Sequence, residues 1–134
     1  MSSVTVNTTS PFMLGACVWA RESIYSPWIR GIIREIEVTM KGNKRATRFH
    51  LELQTANGQA TGSPMTVVTL PLSSLEFEDV KPCNPVDGVP DVTFLQYLHE
   101  PALLASLQAR FRTDEIYTNA GPILIAMVCF SDYL

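Results

Sequence analysis

Residues 81–90, KPCNPVDGVP, hold three prolines and one glycine in ten positions. The apolar pattern changes across them, from alternation before to helical spacing of about 3.6 after. Proline fixes φ and carries no N–H, so such a stretch neither continues a helix nor pairs centrally in a sheet. It reads as an ordered linker that divides the 134 residues into a β-patterned part and a part containing helix. That length suits one ordinary domain, or a small domain followed by a piece of another.

Residues 1–12 are small and polar, rich in Ser and Thr, and read as a flexible tail. Across residues 13–80 alternation dominates. Residues 16–20 are a short apolar run; Ile36, Val38 and Met40 face away from Glu35, Glu37 and Thr39; Phe49, Leu51 and Leu53 alternate with His50, Glu52 and Gln54; residues 66–70 are β-branched. Turn-forming Gly, Asn and Pro at residues 41–44, 57–58 and 62–64 separate these runs. Four or five short strands follow, and closing them into a small SH3-like antiparallel barrel removes the edges of so short a meander.

Single residues in this part carry binding hypotheses. Trp19, Tyr25 and Trp28 are close enough in sequence to form an aromatic patch for a proline-rich peptide, although Trp19 lies in an apolar strand, which assigns it to the barrel core. Lys41, Lys44, Arg45 and Arg48 read as the solvated tip of a hairpin. His50 reads as a surface histidine with no second metal ligand beside it. Cys17, Cys83 and Cys129 are odd in number, widely spaced and without a CxxC pair, so no metal site is expected and the thiols read as reduced.

After the linker, Asp91 or Thr93 is placed to cap a short helical turn with Phe94, Leu95 and Leu98 on its buried side. A second short helix follows, with Pro101 in its first turn, Glu100 at the positive end of its dipole, and Leu103, Leu104, Leu107 and Phe111 at helical spacing. Residues 116–118 and 122–127 read as two strands around a turn at residues 119–121. The second is apolar on both faces, the pattern of a strand covered inside a larger sheet. The chain supplies too few layers to cover it, so truncation is expected.

A net charge of -3 offers no electrostatic footprint for nucleic acid or an anionic membrane. No run approaches the roughly 20 apolar residues that span a bilayer, and the first residues lack the pattern of a secretory signal, so a cytoplasmic location is expected.

The order of elements and the residues after the linker resemble the start of a myosin heavy chain of the unconventional kind. Myosin heads commonly open with an SH3-like barrel, pass a linker, and enter the motor through D-(L/V)-T-x-L-x-Y-L-(N/H)-E-P-x-(V/L)-L-x-x-L-x-x-R-(F/Y), then I-Y-T and a Gly-led apolar strand. Asp91, Val92, Thr93, Leu95, Tyr97, Leu98, His99, Glu100, Pro101, Leu103, Leu104, Leu107, Arg110 and Phe111 stand at those positions, followed by Ile116, Tyr117, Thr118 and Gly121. Asn84-Pro85 and Asp87-Gly88-Val89 also resemble the family linker.

The resemblance implies an N-terminal barrel at residues 13–80, a linker at 81–90 and the truncated start of an α/β motor domain at 91–134. It also implies a parent that moves along actin with ATP and Mg²⁺, binds light chains and associates with the cytoskeleton. The family's adenine-contact run, Asn-Pro-Phe, corresponds to Val128, Cys129 and Phe130, of which only Phe130 matches. No G-x-x-x-x-G-K-(S/T) loop occurs in the 134 residues. The expectation is an N-terminal fragment with no catalytic residues, no cofactor and no actin or light-chain partner of its own. The alternative is a free-standing SH3-like interaction module working through Trp19, Tyr25 and Trp28.

Overall fold

The computed structural model describes residues 11–55, 58–73 and 76–127. The chain divides into two compact units, residues 1–82 and 83–134.

The first unit is an antiparallel sheet of five strands: β1 (Cys17–Ala20), β2 (Ile29–Lys41), β3 (Lys44–Gln54), β4 (Ala60–Thr69) and, after a small hairpin of β5 (Pro71–Ser73) and β6 (Glu76–Phe77), β7 (Val80–Pro82). The sheet order is β4-β3-β2-β1-β7. β2 and β3 turn through Gly42 and Asn43, with Lys41 opposite Lys44. Gly42 at φ +67° takes the left-handed position that a two-residue hairpin turn with glycine first demands.

Alternation along β2 changes phase at Arg34. Ile33 pairs with Leu51, but Glu35 pairs with His50, so Arg34 is the extra residue of a β-bulge. The bulge keeps Ile33 and Ile36 on one face despite their odd spacing. That face packs Val18, Ala20, Ile33, Phe49, Leu51, Met65, Val67 and Val80 into one core. Gly31 lies between β1 and β3 where an added Cβ would stand 3.2 Å from the Glu52 carbonyl oxygen, so a larger residue there requires the β3 backbone to give by a few tenths of an ångström.

Two features depart from the sequence reading. The sheet is open, not a closed barrel, because β4 and β7 remain its two edges. At one corner they come close: Asp79 N–H donates to Thr69 Oγ1 and Glu78 N–H to the Leu70 carbonyl, but no ladder follows. The core is closed instead by aromatic rings. Phe77, on β6, and Phe12, which the sequence assigns to the tail, meet each other edge-on with centroids 4.9 Å apart, and Phe77 meets Phe49 at 5.1 Å. Lys81 and Pro82, read as linker, form the end of β7, where an edge strand tolerates proline.

Among the described residues the second unit contains one α-helix, not two. Asp91 caps only a single 3-10 turn, Val92–Phe94, and Leu95 is already extended. The helix cannot continue because Asn84 captures the next backbone groups: Tyr97 N–H donates to Asn84 Oδ1 at 2.7 Å and Asn84 Nδ2 donates to the Tyr97 carbonyl at 2.8 Å. The true helix, α1 (Glu100–Phe111), starts with Pro101 in its first turn and His99 Nδ1 accepting from Ala102 N–H.

Its buried face is Pro101, Ala102 and Ser106, and Leu104 of the expected leucine stripe is 55% exposed. Small residues face inward because the linker backbone runs against them: Gly88 N–H donates to Ser106 Oγ, and a Cβ on Gly88 would stand 3.4 Å from that of Ala109. Val92, Leu95 and Ala102 form the small core, with Val89, Leu103 and Ala120 against it. Phe94 and Leu98, expected inside, are exposed.

The last hairpin, β8 (Tyr117–Ala120) and β9 (Ile123–Ala126), turns through Gly121 and Pro122. Ile123 and Leu124 are 64% and 60% exposed, so the strand that reads as doubly covered has its apolar side chains at the surface. Among the described residues, no helix is long and apolar enough to cross a membrane.

Candidate functional site

The proposed peptide patch does not assemble as an open aromatic surface. Val18 and Ala20 point into the core, so alternation turns Trp19 to the other face of the sheet; the sequence assignment of Trp19 to the core is corrected by one strand position. There Trp19 pairs across the ladders with Arg30 and Lys81, and the Arg30 guanidinium lies 5.8 Å from the indole centroid. The Trp19 indole N–H is sheltered and has no hydrogen-bond partner among the described residues. Trp28 lies 4.5 Å beneath the Arg21 guanidinium, which is itself held by Asp79 at 3.0 Å. Tyr25 is 92% exposed in the loop between β1 and β2. Two cation–π stacks and one exposed phenol therefore make up the region of the candidate aromatic patch.

The hairpin-tip cations divide. Lys44 and Arg45 are exposed, whereas Arg48 reaches back along the outer face to Glu37 Oε2 at 3.9 Å. His50 is also on that face, with Nδ1 3.2 Å from Thr66 Oγ1 on β4 and Nε2 3.2 Å from Glu37 Oε1 on β2. Its acidic neighbours escape a reading of β3 alone because they come from the facing strand. Counting outward from the Gly42-Asn43 turn would have found them, since Lys41 opposite Lys44 leads directly to Glu35 opposite His50.

In the second unit the motif residues build a frame. Asp91 Oδ1 accepts from Thr93 N–H at 2.9 Å, from the Thr93 hydroxyl at 2.6 Å and from Gly121 N–H at 3.1 Å, tying the 3-10 turn to the β8–β9 turn. Arg110 of α1 donates through Nε to the buried Thr118 hydroxyl and through Nη2 to the Tyr117 carbonyl. Asn119 N–H donates to the Pro90 carbonyl. The spacing of Asp91, Arg110, Tyr117 and Thr118 is thus explained by hydrogen bonds between elements, with no reacting group required. Val128, Cys129 and Phe130, the positions aligned with the adenine contact, lie outside the described residues.

Curated proteins are similar to this chain over most of its length. Myosin-11 of Arabidopsis thaliana is 34% identical over 115 residues, 86% of this chain, and Myosin-14 of the same plant is 34% identical over 127 residues, 95% of this chain. The chain is homologous to the plant myosins. Myosin-16 of A. thaliana agrees, at 36% identity over 115 residues. The matched part is 6%, 7% and 8% of these three myosins, so the chain spans under a tenth of the length of the relatives it matches. No protein-family model matches the chain.

Homology to myosins gives the Asp91 network a place in a myosin-related frame, and its chemistry gives a pH test. The hydroxyl of Thr93 holds the Asp91 carboxyl below the ordinary carboxylate range, helped by the N–H groups of Thr93 and Gly121; desolvation opposes them weakly. A folded-state pKa below the unfolded value of about 3.9 contributes stability that is present above that value and lost as pH falls through the folded pKa. The amide signals of Thr93 and Gly121 are therefore expected to titrate together with a midpoint below about 3.9, and to stop titrating in Asp91→Asn. A midpoint at or above the ordinary value would show that the network does not favour the carboxylate.

Proposed function

We propose that residues 1–134 are the N-terminal portion of a myosin heavy chain: a β-rich unit followed by the first elements of the motor head, acting as scaffold and not itself turning over ATP. The observation that supports this most is the myosin identity spanning 95% of the chain, across both units. Myosins use ATP and Mg²⁺ and partner actin. Phosphoryl transfer depends on a cradle for the phosphates and on placed metal ligands, and the 134 residues hold no G-x-x-x-x-G-K-(S/T) loop to provide them. Removal of those parts abolishes the chemistry rather than slowing it.

The exposed Ile123 and Leu124 fit the same reading, since a two-stranded ribbon with an apolar surface is built to join further strands. The interaction-module alternative has less support, because Trp19 and Trp28 each carry a guanidinium and the sheltered Trp19 N–H is closed to an incoming peptide carbonyl.

The test uses the purified 134-residue chain. Phosphate release from MgATP is expected at the buffer rate with and without filamentous actin, a fluorescent ATP analogue is expected to show no saturable binding, and the chain is expected to stay in the supernatant when actin is sedimented. Saturable ATP binding or actin co-sedimentation would overturn the proposal.

A further inference from the structure

The outer face of the sheet carries a donor set that the scaffold reading does not use. Glu35 on β2 stands directly opposite His50 on β3, and Glu37 is two residues further along the same face of β2. One ligand atom of each lies within 4.8 Å of the other two. We propose that Glu35, Glu37 and His50 form a binding site for a divalent transition-metal ion of the Zn²⁺ type, with water completing its coordination.

The geometry fits that chemistry. Zn²⁺ takes imidazole nitrogen and carboxylate oxygen at about 2.0–2.2 Å, which places neighbouring tetrahedral ligands roughly 3.4 Å apart. His50 Nε2 and Glu37 Oε1 are 3.2 Å apart. Thr66 Oγ1, 3.2 Å from Nδ1, is placed to accept a hydrogen bond from an Nδ1–H and so leave the Nε2 lone pair directed at the carboxylates. In the metal-free protein the Nε2–Glu37 contact requires a proton on Nε2. When the ion binds, that proton moves to Nδ1 in a neutral ring, or leaves to solvent from an imidazolium, so ligation and proton balance are linked.

The remaining ligands are available. Among the described residues Glu35 has no hydrogen-bond or ion-pair partner, so ligation by it breaks no existing contact. Arg48 engages Glu37 through Oε2, leaving Oε1 toward His50. Arg34 and Glu52, on the adjacent turn of the bulge, are joined to each other at 2.6 Å and take no part. Donors from two strands of one ladder are held at fixed separation by the backbone, and an imidazole among them favours Zn²⁺, Co²⁺ or Ni²⁺ over Mg²⁺ and Ca²⁺.

The experiment titrates Zn²⁺ into the full chain under reducing conditions and follows the imidazole NMR signals. The chain has two histidines, so His99 serves as an internal control. His50 is expected to shift and saturate near one equivalent while His99 is unmoved, and equal Mg²⁺ is expected to leave both in place. Glu35→Gln is expected to weaken Zn²⁺ at least about tenfold, and His50→Ala to abolish uptake at this site. Glu35 faces solvent, so its isosteric variant keeps the fold, which the unchanged metal-free melting midpoint verifies. An unshifted His50 at millimolar Zn²⁺, unchanged affinity in Glu35→Gln, or uptake lost only when the thiols are blocked would overturn the proposal.

Discussion

Phe49→Ala is expected to destabilise the first unit by about 3–5 kcal/mol, the cost of removing a buried aromatic ring and leaving its cavity. Phe49 is 1% exposed and stands at the centre of the inner face, opposite Ile36 on β2 and Val67 on β4. It also receives the Phe77 ring edge-on at 5.1 Å and Phe12 at 6.1 Å, so truncation opens the seam that replaces barrel closure. A unit of this size holds roughly 0.05–0.15 kcal/mol per residue of net stability, so the loss takes about a quarter of it or more. Trp19 and Trp28 both belong to this unit, which makes tryptophan emission its reporter in thermal or urea melts. Phe49→Leu, which keeps most of the volume, is expected to cost under about 1.5 kcal/mol, and Val68→Ala, on the outer face, to stay within about 0.5 kcal/mol. Equal costs for Phe49→Ala and Val68→Ala would show that the aromatic seam does not hold the core.

What the sequence makes legible follows the reach of each interaction. The alternation in β2 and β3 and the turn at Gly42 are local, and even the bulge is written in the switch from Gly31 and Ile33 to Ile36 and Val38. Barrel closure is not local. It depends on whether β4 finds β7 across the sheet, and the rings of Phe12 and Phe77 close the core without that pairing. Trp19 lies outside the core because phase outranks hydrophobicity in a strand: Val18 and Ala20 already claim the inner face.

The outer-face cluster shows the same division. His50 is visible alone, but its nearness to Glu35 and Glu37 is a statement about register, available only once the turn is used to align the two strands. The motif after the linker is readable as a pattern, whereas its physical content, hydrogen bonds from Asp91, Arg110 and Asn84 between distant elements, needs three dimensions.

Asn84 gives that content its sharpest test. Its amide makes two short bonds to the backbone of Tyr97, thirteen residues away, and the side chain is buried. It does for the linker what a strand partner would do, and it stops the 3-10 turn from growing into a helix. Asn84→Ala leaves the Tyr97 N–H and C=O without partners, at about 1–3 kcal/mol for each group that water cannot reach. Tyr97 is only half-buried, so a net loss of roughly 2–3 kcal/mol is expected, a large share of what a unit this small holds. Asn84→Asp separates the bond from the volume: the carboxylate still accepts from the Tyr97 N–H but opposes its carbonyl, so it is expected to rescue little. Hydrogen exchange at the amides of Leu95, Tyr97 and Asn119 reads the effect within the second unit, while tryptophan emission follows the first. Exchange unchanged in Asn84→Ala, or native protection restored by Asn84→Asp, would show that the linker is held by its apolar contacts at Val89 and not by this amide.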